Sequence, residues 1–566
     1  MRVLYALSCS GTVRAEAEYA VTSCLSSLGF FYSPFEPDLP GTLLCYGEIT
    51  EEMREKVVKG EWAVRILHDP AGFEGMVNER KSPKTEAPTA DESGLLLLFP
   101  VSGGDSPTPP GEIVGLDGSR LTGVSETRMG AGGVITVHFD LLAGVFFFLS
   151  RVEEAFSSER DRFGRFPQER IFCVRKGFEA EPLANSYLLL LEELLFRAAR
   201  MSGHLLLRKM EWPAAQPYCV SLTHDVDRVA KWRGRAILKG ILAGKGREVL
   251  FSIQRINSDP YWNFDLITGL EGERGVGSSF YFFAFREKNP GGRYDCEYVR
   301  ALLRQLSADG YEIGLHGSYE SMEDGGRLIA EKSRLANAAG DRISGIRQHY
   351  LRLKVPETIR SMEEAGFDYD ASVGFSDRVG FRASMCLPYH LYDFDNSRPF
   401  GILEVPISVM DTPLLTRGEE AREDLRHMAE RVRASRGVLS VIWHQRSFDD
   451  DDFPGMGRLY EWFLDLVSAD RPFFASHKEL CTWWRLRKGV SIASAETSGK
   501  RTALCIESKH EIPMLSFELC GRVGSVSCEG AAIRVSSRGG EERRVFTLTE
   551  MRKPGFRLIL ERKGEG

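Results

Sequence analysis

Residues 221–229 read SLTHDVDRV and place His224, Asp225 and Asp227 within four positions, directly behind the apolar start of YCVSLTH (218–224). An imidazole and two carboxylates set against a buried strand are costly unless a counter-charge meets them. Alone, an Asp-x-Asp behind a strand is commonly a turn or a helix N-cap. Its meaning therefore depends on what the rest of the chain folds toward it.

From 219 to about 487 the chain alternates apolar strand-sized runs with amphipathic stretches. The runs are YCVSLTH, SSFYFFAF (278–285), YEIGLHG (311–317), GIRQHY (345–350), FDYDASVGF (367–375), ILEVPIS (402–408), VLSVIWH (438–444) and PFFASH (472–477). Helical patterns such as CEYVRALLRQLSADG (296–310) and VPETIRSMEEAG (355–366) lie between them, each closed by a glycine where a C-cap needs one. Repeated strand-then-helix order predicts a parallel sheet, and eight runs point to a barrel. The expected fold class is α/β: a distorted (β/α) barrel over 211–487, behind an α/β N-terminal region and ahead of a small all-β domain.

The flanks set the expected boundaries. NERKSPKTEAPTADESG (78–94) reads as a linker, which gives an N-terminal α/β subdomain at 1–95 and an accessory domain at 96–210 with a helical C-terminal part. EWPAAQPY (211–218), with two prolines, reads as a junction. After 488 helical signals stop, and short strands from TALCIESK (502–509) to GFRLILERK (555–563) predict a β-sandwich-like unit over 488–566. LLAGVFFFLS (141–150) is too short to span a bilayer and SYLLLLEELLF (186–196) carries two glutamates, so both read as core helices.

The 566 residues carry a net charge of −7 without long blocks of one sign, so nothing points to a nucleic-acid partner. Eleven scattered cysteines form no CxxC pair, which suits reduced thiols and disfavours a cysteine zinc site. The N-terminus reads as a first strand and not as a signal peptide, so a soluble, cytoplasmic protein without a membrane span is expected.

Polar residues recur at the C-terminal ends of the barrel runs: Asp225 and Asp227, His316, Arg347 with His349 and Tyr350, Asp370 with Ser372, and His444. In parallel α/β folds these ends converge on one face, so residues distant in sequence share a pocket. A catalytic zinc takes about three His or carboxylate ligands and keeps one position open. Asp227 and His316 supply two. His349 and Glu320 compete for the third place, and the imidazole is favoured because a second carboxylate would raise the pKa of bound water.

These segments resemble the motifs of the polysaccharide deacetylases, the carbohydrate esterase family that shares the nodulation-deacetylase homology domain. THDVD resembles the first motif, EIGLHGSYE the second with Glu320 where a histidine is usual, RQHY the third with His349 in place of proline, YDASVGF the fourth and LSVIWHQ the fifth. The likeness covers roughly residues 215–485. Residues 96–208 resemble a poorly characterised domain that precedes this variant in bacterial proteins, and no chemistry is expected of them.

The resemblance implies a deacetylase acting on an N-acetylated saccharide with a divalent metal, zinc being the expected one. In it Asp225 is the general base, oriented by Arg347, and His444 the general acid, its imidazolium supported by Asp370. Asp227, His316 and His349 are the metal ligands, and Tyr350, Trp443 and His224 are expected to line the substrate site. Three other readings stand beside it: a same-fold hydrolase of a non-sugar amide, a metal-deficient barrel acting as a scaffold, and a carbohydrate-binding role for the C-terminal domain, which has no tryptophan after Trp484. DDDDF (449–453) lacks the glycine and distal glutamate of an EF-hand and reads as a solvated loop at the pocket rim. GVGSSF (275–280) precedes a strand instead of opening a helix, so a phosphate loop is not expected.

Overall fold

The computed structural model describes residues 1–9, 11–69, 73, 76, 98–100, 112–115, 120–232, 235–286, 294–537, 542–551 and 555–562. The linker expected at 78–94 lies outside them.

Each of the eight barrel runs contributes to one parallel sheet. Its strands are β1 (Cys219–Val226), β2 (Ser278–Phe282), β3 (Glu312–Gly317), β4 (Gly345–Gln348), β5 (Tyr369–Asp370), β6 (Leu403–Glu404), β7 (Val409–Met410), β8 (Val438–Ile442) and β9 (Phe473–Phe474). The hydrogen-bonded order is β6-β5-β4-β3-β2-β1-β8-β7, with β9 on the first residues of β1. The two edges belong to one continuous stretch. Leu403 and Glu404 pair with β5, Val409 and Met410 pair with β8, and between them Val405 donates to Asp370 O while Ser408 donates to Ser440 O. ILEVPIS therefore carries the chain from one edge of the curled sheet to the other, and the result is a curled parallel α/β half-barrel.

Buried parallel strands need apolar side chains on both faces. β1 is buried on both faces from Cys219 to Val226, so its polar members Ser221, Thr223, His224 and Asp225 each need a partner inside the fold. The intervening helices follow their expected caps: Arg300–Ala308 and Glu357–Glu364 run into Gly310 and Gly366 at φ 90° and 72°, a backbone that glycine adopts without strain.

The N-terminal sheet runs Tyr32–Pro34, Val3–Ser8, Thr42–Gly47, Trp62–Ile66, Gly132–Val137 and Val124–Met129, with only the last pair antiparallel. The expected boundary at 95/96 thus falls inside one sheet. Leu141–Ser150, buried throughout, and Leu183–Met201 are core helices, and among the described residues no helix is long and apolar enough to cross a membrane.

The C-terminal unit is two four-stranded antiparallel sheets. One of them takes its edge strand, Leu206–Lys209, from ahead of the barrel and pairs it with Ser516–Cys520. All eleven cysteines are free, and all but Cys9, Cys505 and Cys528 are buried.

Candidate metal centre and active site

Strand parity sorts the opening motif, because successive side chains point to opposite faces. Thr223 and Asp225 face the barrel interior, where Arg347 of β4 donates from Nη1 to Thr223 Oγ1 at 2.8 Å and to Asp225 Oδ1 at 2.6 Å. Burial alone would raise the Asp225 carboxyl, but the Arg347 charge, followed by those of His316 and His444, holds it below the ordinary carboxylate value. Arg347 is itself fixed by donating from Nε to Ala371 O at 3.0 Å and by lying 4.2 Å from the centre of the Tyr281 ring.

His224 has the opposite parity. It is fully buried between β1 and the outer helices, with Nδ1 at 2.7 Å from Trp443 O and Nε2 at 2.9 Å from Glu271 Oε1. Trp443 is buried in the same apolar layer, its ring 5.1 Å from Tyr460. Neither residue reaches the pocket, and the expectation that both contact substrate is corrected on that ground.

Asp227, His316 and His349 offer ligand atoms that all lie within 4.8 Å of one another. Asp227 Oδ1 stands 3.5 Å from His316 Nε2 and 3.6 Å from His349 Nε2. This Oδ1 atom is buried, and among the described residues no hydrogen-bond donor reaches it. Zinc bonds of about 2.0–2.1 Å in tetrahedral array would separate neighbouring ligand atoms by about 3.4 Å, so the spacing and the orphaned oxygen fit a small cation. His316 Nδ1 lies 2.9 Å from Arg347 O, which fixes the tautomer that leaves Nε2 free to coordinate. Burial would raise the Asp227 carboxyl, yet His316, Arg446, His444 and His349 around it hold it well below the ordinary value. Glu320 stands apart: its side chain is 68% exposed and pairs with Arg327 at 3.0 Å.

Across the site, His444 Nε2 lies 3.7 Å from Asp227 Oδ2. Its Nδ1 lies 2.7 Å from Asp411 Oδ1, while Asp411 Oδ2 accepts from the His444 backbone at 2.8 Å and from Ser447 Oγ at 2.5 Å. Burial would lower the His444 pKa, but the Asp411 charge raises it to about 9. Asp411 is thus the counter-ion that was expected of Asp370. Asp370 is instead buried in the barrel wall, accepting from Ser372 Oγ at 2.5 Å and facing the Glu404 carboxyl of β6. The signal for Asp411 was present in the sequence, since it directly follows ILEVPISVM as the other polar groups follow their strands.

The third-motif loop brings a contact that the sequence reading did not anticipate. Tyr350 and Leu351 have φ of 59° and 53°. The Tyr350 ring stacks on Phe163 at 4.6 Å and 16°, and Tyr350 O accepts from Arg165 Nη1 at 2.5 Å. Arg352 returns a bond from Nε to Phe163 O at 2.5 Å. The segment preceding the barrel therefore leans directly on the residue beside His349. Its alternating Arg and Phe in RDRFGRF (160–166) was the available signal.

Residues 106–199, which include this segment, match a family described as a family of unknown function (DUF7033). No curated protein matches the chain. Among solved structures, similarity is found to a putative polysaccharide deacetylase from Mycobacterium smegmatis at 17% identity and TM-score 0.35, over 51% of this chain and 98% of that one. It is also found to the peptidoglycan deacetylase PdaC from Bacillus subtilis at 12% identity and TM-score 0.24, over 48% and 95%. A third, at 11% and 0.25 over 46% and 65%, is BA3943 from Bacillus anthracis, described as a CE4 family pseudoenzyme.

Proposed function

We propose that this chain is a metal-dependent hydrolase that removes an acetyl group from an N-acetylated sugar. The observation that carries the reading is the arrangement around Asp227: a ligand set completed by His316 and His349, an ionised carboxylate on one side and a charged imidazole on the other. A zinc-type cation held there would polarise the amide carbonyl and acidify bound water. Asp225, kept ionised beside Arg347, accepts the proton of the attacking water. His444, kept protonated by Asp411, delivers its proton to the departing amine. The two groups are matched to opposite tasks by their neighbours, one by a cation and one by a carboxylate. The turn at Tyr350 supplies a backbone amide for the charge that develops on the carbonyl oxygen.

The test is acetate release from N-acetylglucosamine oligomers by the full-length protein, with bound metal measured on the same samples. Asp225→Asn is expected to keep its metal and to lose at least about a hundredfold in kcat, because the amide matches the carboxylate in shape but accepts no proton. Unchanged turnover in that variant, or wild-type protein that takes up no divalent metal, overturns the reading.

A further inference from the structure

The segment between Asp227 and the helix Phe264–Gly272 is a helical hairpin, Arg235–Leu242 and Gly246–Gln254, apolar on two sides. The inner side is closed. Gly240 sits so near Trp232 and Val249 that a Cβ there would fall 2.5 Å and 2.7 Å from their side chains, and Trp232 Nε1 donates to Glu248 at 3.1 Å. The outer side is open: Leu238 (62% exposed), Ile241, Leu242 (79%), Leu250, Phe251 (59%) and Ile253 all face solvent. Leu238, Ile241 and Leu242 follow the i, i+3, i+4 spacing of one helical stripe. Six large apolar side chains left in solvent on two adjoining helices make a contiguous patch of the kind that marks an interaction surface.

Charge names the cover. Residues 231–255 carry seven basic residues and a single acidic one, Glu248, and among the described residues only Lys231 and Lys245 of the seven pair with the acidic loop, at Asp449 and Asp451. Lys239, Arg247 and Arg255 are exposed beside the apolar side chains. Exposed Leu, Ile and Phe flanked by Lys and Arg suit an interface where acyl chains meet anionic headgroups.

We propose that this hairpin docks the protein on an anionic lipid surface. The docking also orients the site, because the hairpin is tied to the rim that carries His444. Lys231 pairs with Asp449 and Lys245 with Asp451, and Tyr261 donates to Asp452 at 2.7 Å, so the acidic loop expected to be merely solvated is the anchor. Asn263 donates to Gln445 O at 3.1 Å. Resting on the hydrolase reading, this deepens it: the substrate class that meets the pocket is an N-acetylated sugar carried on a lipid.

The test reads vesicle binding by the full-length protein, without turnover, so its failure is separate from failure of the hydrolase reading. Wild-type protein is expected to cosediment with vesicles of phosphatidylcholine and phosphatidylglycerol in equal parts, and to be released by salt. The double variant Leu242→Gln, Phe251→Gln is expected to lose binding by more than about tenfold, with an unchanged melting curve because both side chains are exposed. Absence of wild-type binding, or equal binding by the variant, overturns the proposal. So does a lipid-free dimer that the variant converts to monomer, since a second copy would then be the cover.

Discussion

Asp225 and Asp411 are both buried carboxylates at the mouth of one barrel, and what separates their roles is the partner each one holds. Asp225 has a permanent cation, Arg347, and stays a proton acceptor. Asp411 has a titratable one, and its charge keeps His444 protonated up to about pH 9 although burial opposes that charge. Asp411→Asn leaves the packing nearly intact and removes the charge. Desolvation then dominates, and the His444 pKa should fall by more than about one unit. A group that must act as an acid loses activity as pH rises through its pKa, so the alkaline limb of the kcat profile should move to lower pH by the same amount. A pH–rate profile of metal-loaded Asp411→Asn checks this, and an alkaline limb left in place would show that another group donates the proton. Asp370, the residue that the family pattern offers for this role, is unsuited to it by position: its carboxyl faces Glu404 and not His444.

That pair belongs to two elements, β5 and β6, which meet at one edge of the curled sheet. Glu404 accepts from Val373 N at 3.0 Å and Asp370 from Ser372 Oγ at 2.5 Å, while one oxygen of each is buried without a hydrogen-bond partner. Burial and mutual repulsion raise Glu404 well above the ordinary carboxylate value, and burial raises Asp370. A carboxyl with a raised folded pKa keeps its proton longer in the folded chain than in the unfolded one, where protons leave near about pH 4. Stability from this pair is therefore lost as pH rises from that point through the folded value. Glu404→Gln supplies the missing donor permanently, so its melting temperature should decline less than that of wild type between about pH 5 and about pH 8. Parallel curves would show that the pair does not titrate in this window. The strands themselves were legible, because buried parallel strands leave apolar runs and their polar ends stand out against them. Parity within a strand was less so: THDVD gives no sign of which member faces inward until β1 is seated between β2 and β8, and His224 was read to the wrong side. Asp411 and the Phe163 loop were missed for a related reason, since each acts across a contact between segments far apart in sequence.

The units of the molecule meet on a buried charge cluster that the sequence does not announce. Arg208, on the strand that crosses into the C-terminal sheet, donates to Glu518 at 2.8 Å and to Glu211 at 2.8 Å. Arg436 from the barrel reaches Glu192 at 3.0 Å, and Arg487 donates to the carbonyls of Met210 and Ser27 at 2.7 Å and 2.9 Å. LLLRKMEW (205–212) reads locally as a strand with a solvated end, and only tertiary packing reveals its charges as buried. Its weak point is Lys209. The ammonium lies 4.7 Å from the Phe31 ring and donates to Val490 O at 3.0 Å, and among the described residues no carboxylate pairs with it. Burial, then the charges of Arg487 and Lys488, lower its pKa to about 7. Between that value and the ordinary lysine value of about 10.4, the unfolded chain holds a proton that the folded chain has released. Stability therefore rises with pH across this window, and the full cost of the buried charge is felt below it. Lys209→Met fills the same space without a charge. It should melt at a higher temperature than wild type near about pH 6, and the gap should narrow steadily as pH rises from about 7 toward about 10. A gap that stays constant or widens with pH would mean that Lys209 keeps its charge and that its carbonyl and ring contacts outweigh desolvation.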